Sequence, residues 1–191
     1  MKILQKNEKI LRQTAREILV RDIKTVRMKK ILGEMSEALG SQSDGVAIAA
    51  PQIGYPLRIF MVSGKIFSKD FGVNKELPPA TAETQKKGKA NLLNKPVREK
   101  PPKDLVFINP VISKLSRKKE WVPEGCLSVR PLYGKTFRSM KATIAACDEN
   151  GKKFQRGASG LLAQIFQHET DHLNGILFTD HAIDVKAEKP K

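Results

Sequence analysis

In the run Gln167-His168-Glu169-Thr170-Asp171-His172, two histidines stand four residues apart with a glutamate beside the first. On a helix that spacing puts both imidazoles on one face, a turn apart. Both rings can then reach one divalent cation while the glutamate handles protons, which is the arrangement for metal-assisted hydrolysis. The chain holds only three histidines, and two of them make this pattern.

A catalytic site of this type needs three protein ligands and one open position. A third histidine in the pattern HExxHxxGxxH is excluded, because Gly175 fits but the last position is Phe178. Glu188 lies in a lysine-rich tail, and His181 lies past the helix, where a solvent-exposed role is expected. The remaining donor is upstream: Cys126, in Glu124-Gly125-Cys126-Leu127-Ser128, next to a glycine that allows close backbone approach. A thiolate binds borderline metals strongly and loses its proton in doing so. Cys147, inside the apolar run Ile144-Ala145-Ala146, reads instead as a buried inert thiol.

These residues need elements to hold them. Leu161, Leu162, Ile165 and Phe166 supply the apolar face of a helix running from Leu161 to about Leu173, launched by Gly157-Ala158-Ser159-Gly160 and ended by Asn174-Gly175. An earlier helix is expected over 24–39, with Val26, Ile31, Leu32, Met35 and Leu39 near helical spacing, broken by the polar run 40–45. Leu57 to Val62 and Leu105 to Ile108 read as strands, the second ending at Asn109-Pro110. Residues 121–129 read as irregular. Lys141 to Cys147 and Lys152 to Arg156 form an expected hairpin around Asp148-Glu149-Asn150-Gly151. Strands and helices are segregated, so the expected class is α+β, antiparallel sheets around a central metal-binding helix.

The 191 residues are enough for one domain with a real core, and 40% hydrophobic content fits a folded protein. No apolar run approaches the ~20 residues that span a bilayer, and Met1-Lys2-Ile3-Leu4-Gln5-Lys6 lacks the pattern of a secretory signal. Two cysteines are too few for a disulfide scaffold, so a reducing cytoplasm is expected. The net charge of +15 favours weak attraction to RNA or ribosome and is silent on catalysis. Residues 64–104 form a basic, proline-bearing insertion, expected to be a long mobile loop; Lys86 to Lys103 carries seven basic residues and one acidic one.

Three motifs together resemble the peptide deformylase family. Residues 45–54, Gly-Val-Ala-Ile-Ala-Ala-Pro-Gln-Ile-Gly, are similar to its GxGLAAxQxG; residues 124–128 match EGCLS; residues 167–173 match QHExDHL. The likeness covers about 24–62 and 105–180. It implies a single catalytic domain over 1–191 that removes the N-formyl group from the formyl-methionine of new polypeptides, in a bacterial or organellar compartment. It implies that Cys126, His168 and His172 bind the metal, Fe2+ above Zn2+, Ni2+ or Co2+. It implies that Glu169 moves protons between the attacking water and the departing amine. Gln52 and the Leu127 backbone N–H would stabilise the oxyanion, and Val46, Ala47 and Gly125 would pair with the substrate backbone. The resemblance breaks at Ala47, which stands where the family has a second glycine, and at Ile48 for leucine. For Asp171 two readings stay open: a pair with Arg138 behind the site, or an exposed side chain.

Overall fold

Every residue of the run Ile59-Phe60-Met61-Val62 is buried, which an antiparallel strand achieves only when both faces of its sheet are covered. The computed structural model of the chain describes residues 2–68, 71 and 102–188, and it shows what covers each face. A five-stranded antiparallel sheet has the order β1 (Ala47–Ala49), β2 (Ile59–Val62), β3 (Leu105–Leu115), β6 (Lys141–Cys147), β7 (Lys153–Ser159). Ile48, Ile59, Met61, Val106 and Ile108 point to one face, where Met28, Ile31, Met35 and Leu39 of α1 (Val26–Gly40) pack on them. Ala47, Ala49, Phe60, Val62 and Phe107 point to the other, where Phe166, Ile165 and Ala163 of α2 (Gly160–Leu173) lie. The period of two therefore feeds two cores at once. Phe60 and Phe107 stack at 4.5 Å, and Phe166 closes on Phe107 at 5.2 Å.

A second, three-stranded sheet has the order β4 (Lys119–Gly125), β5 (Leu132–Ser139), β8 (Ile183–Ala187). Between the two sheets α2 is buried on more than one side, including its polar residues Gln167, Glu169 and His172. The α+β class with antiparallel sheets around a central helix is thus observed.

Three details differ from expectation, and one strand was not anticipated. Val26 is 85% exposed, and Met28 takes its place in the core. The strand from Leu105 does not stop at Asn109-Pro110 but runs to Leu115 across a register shift between Ile108 and Val111. Asn109 adopts φ 50° there and exchanges both amide bonds with Ile18, accepting at 2.9 Å and donating at 2.7 Å. The bulge carries Pro110, which lacks an N–H, past the ladder without an unmet bond. Residues 121–129 are not irregular throughout: Lys119–Gly125 pairs residue for residue with β5, and Pro123 is tolerated because β4 is an edge strand. The tail supplies β8, whose pattern is exposed along its length and which owes its extension to the partner β5.

The expected hairpin is present, closed by Asp148 Oδ1 accepting from Asn150 and Lys152 N–H at 2.8 and 2.9 Å. The helix end also stands as expected. Gly175 adopts φ 75°, and Ile176 N–H returns to the Asp171 carbonyl at 2.9 Å. The expected insertion at 64–104 lies outside the described residues except at its ends. There Val62 pairs with Leu105, and Gly64 N–H donates to Asp104 Oδ1 at 2.8 Å. A Cβ on Gly64 would fall 1.6 Å from the Pro102 carbonyl oxygen, so the two ends of the stretch touch.

Candidate metal centre

His168 and His172 reach the same side of α2 because they are one turn apart, and their rings meet edge to face at 4.9 Å. Cys126 arrives from the second sheet, one residue past the end of β4. Its Sγ lies 3.1 Å from His172 Nε2, and the ligand atoms of Cys126, His168 and His172 all fall within 4.8 Å of one another. Among the described residues this is the one histidine–cysteine–carboxylate cluster with that property. Neither discarded candidate joins it. His181 Nε2 sits 3.9 Å from Asp171 Oδ2, and Glu188 lines the rim of the neighbouring cavity.

His168 is oriented from behind. Its Nδ1 is 2.7 Å from Glu124 Oε1, which leaves Nε2 for the cluster. Glu124 is buried and also accepts from Arg138 Nε (3.0 Å), Arg138 Nη2 (2.7 Å) and Thr136 Oγ1 (2.7 Å). Burial alone would raise the Glu124 pKa, but hydrogen bonds from His168 and Arg138 outweigh it and hold the carboxyl well below the usual range. Arg138 Nη1 continues to Asp171 Oδ2 at 2.6 Å, so of the two readings of Asp171 the pair with Arg138 is the one observed, and it ties α2 to β5. Gln167 makes a second tie. It accepts from Ser139 N–H at 3.0 Å and donates to the Ser139 carbonyl at 2.9 Å.

Glu124 has a larger part in this layout than its sequence context alone assigned to it. The available signal was a carboxylate on the inward side of an alternating strand, which demands a buried cation. Arg138 supplies it fourteen residues on.

Glu169 is 3% exposed, and its Oε2 has no hydrogen-bond partner among the described residues. Burial pushes its pKa up to about 7; His168 opposes this, and the charges of Glu124 and Asp171 add to it. Gln52 is not a solvated loop residue. It is buried in a 3-10 turn, accepts from Ala49 N–H at 2.8 Å, and donates to Ser128 Oγ at 3.0 Å and toward Cys126 Sγ at 3.6 Å. Ser128 N–H also points at that sulfur, at 3.4 Å.

A cavity of about 370 Å³ opens on the cluster. Gln52, Leu127, Glu169 and the expected backbone residues Val46, Ala47 and Gly125 all line it. β1 is an edge strand of the larger sheet and β4 an edge strand of the smaller one, so the cavity lies between two free strand edges. Gly125 has a steric reason: a Cβ there would sit 2.5 Å from the Tyr133 ring. The donor set fits a divalent transition metal. It combines one thiol with two imidazoles, one of them tautomer-fixed, beside a buried carboxylate whose oxygen is unpartnered.

Comparison with known proteins agrees with this geometry. The family model described as polypeptide deformylase matches residues 1–188. The chain is 34% identical over 174 residues to peptide deformylase 2 of Clostridium acetobutylicum, covering 91% of this chain and 89% of that protein. It is 31% identical over 181 residues to peptide deformylase 1A, chloroplastic/mitochondrial, of Arabidopsis thaliana; that covers 95% of this chain and 61% of the plant protein's length. Among solved structures, a peptide deformylase from Synechococcus elongatus in complex with actinonin superimposes with a TM-score of 0.70 at 27% identity, covering 96% of this chain and 79% of that one. A probable peptide deformylase from Synechococcus phage S-SSM7 does so with a TM-score of 0.70 at 28% identity, covering 95% and 99%.

Proposed function

This chain belongs to the polypeptide deformylase family, and from that membership we propose that it is a metal-dependent hydrolase that removes the N-formyl group from the formyl-methionine of newly synthesised polypeptides. The observation that carries the reading is the convergence of Cys126, His168 and His172 within 4.8 Å at the wall of a cavity that also holds Glu169.

Cys126, His168 and His172 would hold the metal, Fe2+ by preference with Zn2+, Ni2+ or Co2+ as substitutes. When bound, it supplies Lewis acidity that makes water acidic near neutral pH and polarises a carbonyl. The protein's own groups do the rest. Glu169, poised near 7, can take a proton from the attacking water and deliver it to the departing amine. Gln52 Nε2 and the Leu127 backbone N–H would donate to the oxygen that gains charge at the formyl carbon. Such donors are worth about 3–4 kcal/mol each when lost. Val46, Ala47 and Gly125 would pair with the substrate backbone: Ala47 and Gly125 belong to the edge strands β1 and β4, Val46 immediately precedes β1, and an extended peptide would add as a strand between the sheets. Arg138, through Glu124, keeps His168 in the tautomer that presents Nε2.

The proposed unit is a single catalytic domain over 1–191 with the insertion at 64–104. Its two thiols are free, which suits a reducing bacterial or organellar compartment. No helix among the described residues is long and apolar enough to cross a membrane. The charge of +15 supports a weak contact with ribosome or RNA.

The test is anaerobic purification with metal analysis, then side-by-side assay of formyl-, acetyl- and unblocked methionyl peptides. One metal per chain and turnover confined to the formyl peptide are expected. Glu169→Ala should keep the metal and lose roughly 10²–10⁴-fold in rate. Intact hydrolysis in that variant would overturn the mechanism, and equal turnover of acetyl peptides would overturn the substrate.

A further inference from the structure

Strand β4 alternates strictly, and its outward side carries Lys119, Trp121 and Pro123. The cross-strand pairs place Phe137 beside Trp121, Lys135 beside Pro123, and Tyr133 beside Gly125. On the far side, β8 sets Ile183 against Lys135 and Lys186 against Tyr133. The outer face of this sheet thus presents three aromatic rings and three lysines. Trp121 is 48% and Phe137 51% exposed, with ring centroids 5.2 Å apart. Lys119 Nζ lies 5.9 Å from the Phe137 centroid, at the rim of the pair. A cross-strand aromatic pair stabilises a hairpin. That accounts for the contact between the rings but not for leaving half of each in water.

We infer that this face binds single-stranded RNA. Exposed rings on a sheet accept bases by stacking, and interleaved lysines follow the phosphates; no base-specific groups are needed. Charge complementarity points to an anionic partner. The chain carries +15, and the acidic groups beside the face, Asp184 and Glu188, are held in exposed ion pairs with Lys135 and Lys186 at 3.0 and 3.3 Å. Exposed pairs of that kind open at little cost, freeing the lysines for phosphate. A hollow of about 520 Å³ between β5 and β8 extends the face and shares Pro123, Tyr133 and Glu188 with the lining of the catalytic cavity. A strand bound here would therefore run up to the mouth of the active site.

The inference deepens only the RNA contact proposed above and is independent of the catalytic reading. Trp121 is the chain's single tryptophan, so its emission reports on this face alone. The experiment titrates the full chain with a twelve-nucleotide single-stranded oligoadenylate, following tryptophan emission and RNA anisotropy together, with formyl-peptide turnover read on the same samples. Saturable quenching that tracks anisotropy is expected. Three neutralised phosphates imply a salt slope near 2.1, so binding should weaken roughly 18-fold between 50 and 200 mM salt. Phe137→Leu should cost about tenfold in affinity. The double variant Lys119→Glu/Lys135→Glu, which spares the rings and the hairpin, should lose at least about tenfold by the same counterion argument, with turnover unchanged.

Binding without quenching would place the RNA elsewhere, leaving the general RNA contact standing and this face refuted. Wild-type affinity in the double lysine variant, or equal quenching by an RNA duplex, would refute it too. So would concentration-dependent quenching without RNA accompanied by dimer sedimentation, which would assign the face to a second copy of the chain.

Discussion

Replacing Arg138 with methionine tests the framework behind the metal centre. The guanidinium is 8% exposed and makes two bonds to Glu124, itself 3% exposed at the side chain, and one to Asp171. Methionine fills similar space without charge. Removing one partner of a buried pair costs about 3–5 kcal/mol, because the other charge stays buried. Against a total stability of roughly 5–15 kcal/mol, and at about 2–4 °C per kcal/mol for a chain of this size, Tm should fall by about 6–20 °C. Without the guanidinium, burial also drives Glu124 toward its neutral form, and its bond to His168 Nδ1 weakens. Metal affinity should then drop about 10- to 100-fold. Urea unfolding followed by circular dichroism, in chelator and again in excess metal, separates the two effects. Glu124→Gln and the double variant complete the cycle, and the double variant should cost at least about 2 kcal/mol less than the sum of the singles. A single-variant cost below about 1 kcal/mol, or strict additivity, would refute the reasoning.

Three further outcomes are expected. Gly175→Ala should destabilise by more than about 2 kcal/mol, since the position has φ 75° and the added Cβ would lie 2.7 Å from the Arg12 backbone; a wild-type Tm would contradict this. Asp180 accepts from Arg12 and from the Leu177 N–H; burial opposes the shift, but these bonds hold its carboxyl below the ordinary value. Its contribution is therefore complete above the unfolded pKa of about 3.9 and is lost as pH falls through the folded value. The Tm gap between wild type and Asp180→Asn should be full at pH 7 and shrink toward pH 3, and a constant gap would count against the pair. Ala47 is 6% exposed and lines the catalytic cavity, so Ala47→Gly should widen the groove and change kcat/KM for formyl peptides with the size of the residue after methionine; identical values would remove that role.

The helix that carries the two clustered histidines was legible because its signals are local. Two histidines at four-residue spacing, an apolar face and a glycine stop all sit within sixteen residues, and the structure places each where the pattern requires. The strand Ile59–Val62 was legible for the same reason. What escaped was set by partners distant in sequence. β4 hides behind an outward tryptophan and a proline that an edge position permits. β8 has no pattern of its own and borrows its extension from β5. Glu124 stood in a quoted motif without a role until Arg138 and His168 closed on it. Gln52 resembles any loop glutamine until Ala49 and Ser128 bury its amide.

The contact of Gly64 with Pro102 and Asp104 has a consequence for how this enzyme's length can vary. β2 and β3 are already registered at Val62 and Leu105, so the described residues on either side of the stretch meet at one doorway. Residues 64–68 and 102–104 neither belong to the Cys126–His168–His172 cluster nor line its cavity. Each doubling of such a span costs only about 0.6 kcal/mol in closure entropy. The doorway is a natural graft point. A shorter or longer span joined there is expected to leave the pairing of Val62 with Leu105 intact.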